Sequence, residues 1–139
     1  MTTGLPASPA LESAATLAAE RRFRVFVVED EVMIAILLED MLEELGFELA
    51  GTASRLDEAL RAAEVDGFDF AILDVNLGGD RTFPVADVLR RKGIPFAFAT
   101  GYGAAGLPER FLDAPVIQKP FRLDELRALL PTATAEARR

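Results

Sequence analysis

The sequence predicts a doubly wound α/β domain: a five-stranded parallel sheet with helices on both faces. Three observations carry this expectation. Five short β-rich runs, Arg24–Val28, Phe47–Gly51, Phe68–Asp74, Pro95–Thr100 and Val116–Lys119, alternate with segments of helical length. The stretches Phe70–Leu73 and Phe96–Ala99 are apolar throughout, as strands covered on both faces must be. Charges follow directly on three of the runs, at Glu29-Asp30, Asp74 and Lys119, and the carboxyl ends of strands border the ligand crevice in open α/β sheets.

In chain order, residues 1–22 are rich in Ala, Thr, Ser and Pro and read as an extension, either flexible or a short helix through Leu11, Ala14, Ala15 and Ala18. The domain proper is expected over 23–131, followed by a flexible tail at 132–139. After the first strand, Ile34, Leu37, Leu38, Met41, Leu42 and Leu45 recur with helical spacing and Gly46 is the stop. A second helix is expected from about Arg55, capped by Ser54 with Asp57 three residues on, burying Leu56, Ala59, Leu60 and Ala63. The third carries Pro84 in its first turn, buries Val85, Val88 and Leu89, and ends on Arg90-Arg91-Lys92 before Gly93, as the helix dipole favours. Gly101 to Phe111 holds three glycines and Pro108, so its helix is expected to be short and mobile. A last helix, about Arg122 to Leu130, buries Leu123, Leu126 and Leu130. The run Phe47–Gly51 is broken by Glu48 and suits a sheet edge, and by analogy with flavodoxin-like folds the strand order is 2-1-3-4-5.

Composition narrows the chemistry. The 139 residues include no cysteine and no histidine, which removes disulfides, thiolate metal sites and the usual general base, so a metal would be bound by oxygen, as magnesium or calcium is. A net charge of −8 without a clustered basic face argues against nucleic acid. No apolar run approaches a membrane span, and a cytoplasmic location is expected. Only two of the fifteen basic residues are lysines, Lys92 and Lys119, which marks a lysine at a strand end.

Each candidate has a plain structural reading beside the chemical one. Glu29, Asp30 and Glu31 suit the positive end of the following helix, but neighbouring carboxylates leaving a buried strand also call for a cation. Asp74 is framed by Ile72, Leu73 and Val75 and followed by Asn76-Leu77-Gly78-Gly79, whose glycines admit a close backbone approach and whose carbonyl at Asn76 is a candidate metal ligand. Thr100 alone is a β-branched strand residue with a hydroxyl to spare. Lys119 precedes Pro120, a pair compatible with a cis peptide, and a buried ammonium needs an anion such as Asp74 or a phosphoryl group on it.

Taken together, Glu29-Asp30-Glu31, Asp74, Thr100 and Lys119-Pro120-Phe121 resemble the receiver domain of bacterial two-component response regulators, over about Arg24 to Leu130. The stretch from Pro95 to Gly103 further resembles the signature of the FAT GUY single-domain receivers, a group linked to general stress signalling and HWE-type sensor kinases. The resemblance implies a CheY-like fold, with Asp74 as phosphoacceptor and Thr100 and Lys119 on the phosphoryl oxygens. It implies Mg²⁺ held by Asp30 directly, Glu29 through water, Asp74 and the Asn76 backbone carbonyl. The implied partners are a sensor histidine kinase, HWE-type among the candidates, and a histidine phosphotransfer protein or downstream response regulator. A monomer or weak dimer is expected, with no turnover of an external substrate.

Two positions depart from the family pattern. Val116 stands where receivers carry a switching Tyr or Phe, so Tyr102 or the Gly101–Phe111 segment is expected to report phosphorylation instead. Arg122 stands where Ser or Asp often caps the last helix. Only Pro131 and a short tail follow Leu130, so output is expected through protein contact, at the fourth helix, fifth strand and fifth helix. Two rivals remain: a haloacid-dehalogenase-like phosphatase, which would place its nucleophile on the first strand, and a receiver fold that binds partners without being phosphorylated.

Overall fold

The computed structural model describes residues 23–101 and 106–137, with side chains as far as Leu130. Its elements are β1 (Arg24–Val28), α1 (Val32–Glu44), β2 (Glu48–Ala53), α2 (Leu56–Glu64), β3 (Phe70–Asp74), α3 (Phe83–Lys92), β4 (Phe96–Thr100), β5 (Val116–Gln118) and α4 (Leu123–Ala137). All five strands run parallel in the order β2-β1-β3-β4-β5, as the sequence predicts. Tyr102 and the expected helix within residues 1–22 lie outside the described residues.

The alternation of side chains along each strand divides the core into two layers. Phe26, Val28, Ala71, Leu73 and Phe98 face α2 and α3, where Ala59, Ala63, Val85 and Leu89 meet them. Val25, Val27, Phe70, Ile72 and Ala97 face α1 and α4, against Leu38, Leu42, Leu126 and Leu130. Both central strands, β3 and β4, are buried along their whole length. That is the burial their unbroken apolar sequence requires.

Four local readings need correction. Of the α1 apolar set only Leu38 and Leu42 are buried, whereas Ile34, Met41 and Leu45 are partly covered and Leu37 is 41% exposed. This helix is apolar around most of its circumference, so periodicity alone overstates what it buries. The cap of α2 is Arg55 rather than Ser54, and it is Glu58, not Asp57, that reaches back to accept the Ser54 N–H at 2.9 Å. Leu56, Leu60 and Leu123, expected to be buried, are only partly so. Among the described residues, the helix expected between Gly101 and Phe111 is a single 3₁₀ turn at Glu109–Phe111.

That turn is pinned. Phe111 is fully buried among Phe83, Phe96 and Phe98. The Arg90 guanidinium lies 4.9 Å from the Phe111 ring centre and donates to the Arg110 carbonyl at 2.6 Å, while Arg110 forks onto Asp87 at 3.0 Å through two bonds. Val116 is partly buried and packs against the same core layer.

Candidate functional site

Because the strands are parallel, β1, β3, β4 and β5 end on one edge of the sheet, and the four strand-end signals meet there. Lys119 is their hub. Its Nζ lies 2.9 Å from Glu29 Oε1, 3.0 Å from Asp74 Oδ2 and 3.8 Å from Glu31 Oε1. The Glu29 and Asp74 side chains are 2% and 9% exposed and that of Lys119 is 16% exposed, so the ion pairs are largely shielded from water. The Lys119–Pro120 peptide is cis.

The backbone completes these contacts. Glu29 Oε2 accepts the Glu31 N–H at 3.1 Å, and Asp74 Oδ1 accepts the Asn76 N–H at 3.3 Å. Both carboxylates are thus held through one oxygen by an ammonium and through the other by main chain. Burial pushes the Glu29 carboxyl up to about 7, against the lowering pull of Lys119 and the Glu31 N–H. Burial also opposes the Lys119 charge, but its hydrogen bonds to Glu29 and Asp74 outweigh that and hold the ammonium above its ordinary value.

These groups border a cavity of about 870 Å³ lined by Asp30, Glu31, Asp74, Asn76, Arg81, Thr100 and Lys119, among others. Carboxylate oxygens of Glu29, Asp30 and Glu31 come within 4.8 Å of one another. An all-oxygen donor set of this kind fits a hard divalent cation such as magnesium. Asp30 and Glu31 are exposed and line the cavity, while Glu29 is buried. Thr100 is buried at the end of β4, lines the cavity, and its carbonyl accepts the Lys119 N–H at 3.0 Å.

Two features of the site were missed in the sequence. Thr82, fully buried, donates its hydroxyl to the Asp74 carbonyl at 2.7 Å and so anchors the main chain of the aspartate. Its partner is a backbone group eight residues away, for which no spacing rule exists. The other is a hairpin just after Asp74, in which Asn76–Leu77 pairs antiparallel with Asp80–Arg81 around Gly78 and Gly79. With φ of 60° and 97°, these glycines form the two-residue turn whose backbone twist matches paired strands. A Gly-Gly pair between short polar and apolar runs is a legible hairpin signal.

A parallel sheet in this order, with acidic residues after β1, an aspartate ending β3, a hydroxyl ending β4 and a lysine after β5 around one cavity, defines a receiver-type domain. The model of the response regulator receiver domain matches residues 25–131, and the chain belongs to that family, whose members act in two-component signalling. SdrG from Sphingomonas melonis Fr1 is similar at 44% identity and a TM-score of 0.72, over 81% of this chain and 97% of that one. A second SdrG structure, from Pseudomonas melonis Fr1 in a BeF3-activated conformation, is 45% identical, with a TM-score of 0.68 over 80% of this chain and 94% of that one. The phyllosphere-induced regulator PhyR of Methylorubrum extorquens is 32% identical over 88% of this chain and 47% of its own length, and one solved PhyR is described as a stress response regulator. The chain spans about half the length of the curated relatives it matches. Among the described residues no helix is long and apolar enough to cross a membrane.

Proposed function

We propose that this chain is a response regulator receiver domain that accepts a phosphoryl group on Asp74 from the phosphohistidine of a sensor histidine kinase. The observation that carries the reading is the Lys119 ammonium 3.0 Å from Asp74 Oδ2 at a cavity lined by Asp30, Asn76 and Thr100. An Asp74 oxygen bonds to phosphorus as the phosphorus–nitrogen bond breaks, and the bonding pair returns to the imidazole. Lys119 and Thr100 take phosphoryl oxygens, which spread negative charge in the loose transition state. Asp30, Asp74 and the Asn76 carbonyl would hold magnesium directly and Glu29 through water; the ion supplies further neutralisation of the phosphoryl charge. The chain turns over no external substrate and works in the cytoplasm alongside its kinase.

A donor must bring its histidine to Asp74, so its docking surface borders the cavity. Val32, Met33, Ile36 and Leu37 at the start of α1 are 70%, 75%, 46% and 41% exposed, directly after Asp30 and Glu31. An exposed apolar face of this kind marks an interaction site, and it supports kinase or phosphotransfer docking on α1. Stress signalling follows from the likeness to PhyR.

The test is intact mass after incubation with magnesium and acetyl phosphate. Wild type should gain one phosphoryl group and Asp74→Asn none; equal labelling of both would remove Asp74 from its role.

A further inference from the structure

We propose that Arg81 is a second cationic contact for the phosphoryl group, delivered to the cavity by the hairpin that follows Asp74. The inference rests on the phosphoacceptor reading above and adds a residue to it. In the hairpin Asn76 pairs with Arg81 and Leu77 with Asp80. Directly paired residues project to the same side of a two-stranded ribbon, and neighbours along a strand to opposite sides. Leu77 is buried in the core, so Asn76 and Arg81 are turned the other way, and both line the cavity. The hairpin turn leans over the same space: a Cβ on Gly78 would lie 3.6 Å from Asp30 Oδ2.

The charge of the cavity gives Arg81 its role. Four carboxylates, Glu29, Asp30, Glu31 and Asp74, stand against the single ammonium of Lys119, so the site is strongly acidic and a bound divalent cation would offset only part of that charge. Lys119 is already shared among three of those carboxylates. Arg81 is exposed and, among the described residues, its guanidinium has no hydrogen bond or ion pair, unlike those of Arg90, Arg91, Arg110 and Arg122, each of which is tied to a carboxylate. A guanidinium with its donors uncommitted, on the rim of an acidic cavity, is suited to fork onto phosphoryl oxygens. It comes to them from the hairpin and is exposed, whereas the Lys119 side chain is only 16% exposed.

The experiment compares the full-length chain with Arg81→Ala and Arg81→Lys, using magnesium with beryllofluoride as a non-reacting phosphoryl mimic and acetyl phosphate as a reacting donor. With the latter, the new Asp74 oxygen–phosphorus bond forms as the phosphorus–oxygen bond to acetate breaks, and acetate leaves with the electron pair. Arg81→Ala should bind beryllofluoride and react with acetyl phosphate about tenfold more weakly, the worth of one charge-assisted hydrogen bond. Arg81→Lys should recover part of each loss, both measured at saturating magnesium, with melting temperature unchanged in both variants. Equal beryllofluoride affinity and equal rate in wild type and Arg81→Ala would overturn the role of Arg81 while leaving Asp74 as acceptor. If the wild type itself neither binds beryllofluoride nor gains mass, the phosphoacceptor reading fails, and the Arg81 contact with it.

Discussion

At the scale of single residues, the site is a shielded arrangement of like charges held together by one lysine. Glu29 shows the strain of it most clearly, because burial holds its carboxyl at about 7 where an unconstrained glutamate has 4.5. The folded chain therefore binds this proton more tightly than the unfolded chain. The resulting stabilisation is complete below about pH 4.5 and is lost as the pH rises through about 7. In metal-free protein the denaturant midpoint should fall between pH 5 and pH 8, and Glu29→Gln should flatten that part of the profile; an unchanged profile in the variant would place the titration elsewhere. A cation beside the carboxylates favours their ionised form, so magnesium should bind more tightly at pH 8 than at pH 6, as calorimetry can measure. Thr82 offers a separate check. Thr82→Val leaves the Asp74 carbonyl without its buried donor, which should lower stability by about 1–2 kcal/mol in chemical denaturation.

At the scale of elements, what the sequence made legible follows from how each element is covered. Strands β3 and β4 are readable because burial on both faces demands an unbroken apolar run, and α3 because Pro84 and Gly93 mark its two ends. Helix α1 is readable as a helix but not as a surface. Its sequence carries apolar residues on the solvent side too, and only the packing shows that Val32, Met33, Ile36 and Leu37 stand outside the core. If that face receives the kinase, Met33→Glu should reduce transfer from a phosphorylated sensor kinase at least about tenfold, as loss of an interface anchor does. Labelling by acetyl phosphate should stay at the wild-type rate, since Met33 is not among the residues bordering the cavity. A variant equally slow with both donors would show damage to the site rather than to docking. From sequence the Glu109–Phe111 turn reads as loose, because glycines and a proline precede it. The groups that hold it, the rings of Phe83, Phe96 and Phe98 around Phe111 and the side chains of Asp87 and Arg90, come from distant positions in the chain and have no local signature.

At the scale of the whole molecule, the parallel sheet is what turns scattered sequence signals into one site. Residues 29, 74, 100 and 119 are far apart along the chain, yet strand polarity alone sends all four to the same edge. The convergence could be expected from strand-end positions. The Thr82 anchor could not, since it depends on a backbone partner eight residues away; the Gly78-Gly79 pair signals the hairpin, but not that it brings Arg81 to the cavity. The central claim is that Asp74 is the group modified. Treatment with magnesium and acetyl phosphate, followed by borohydride reduction and peptide mass analysis, reads this directly, because hydride converts an aspartyl phosphate to homoserine. The account predicts homoserine at position 74 and no reduced side chain at positions 29, 30 or 31, where a glutamyl phosphate would give 5-hydroxynorvaline instead. Reduction product at Asp30 or Glu31, or at no position in a chain that has gained phosphoryl mass, would contradict it.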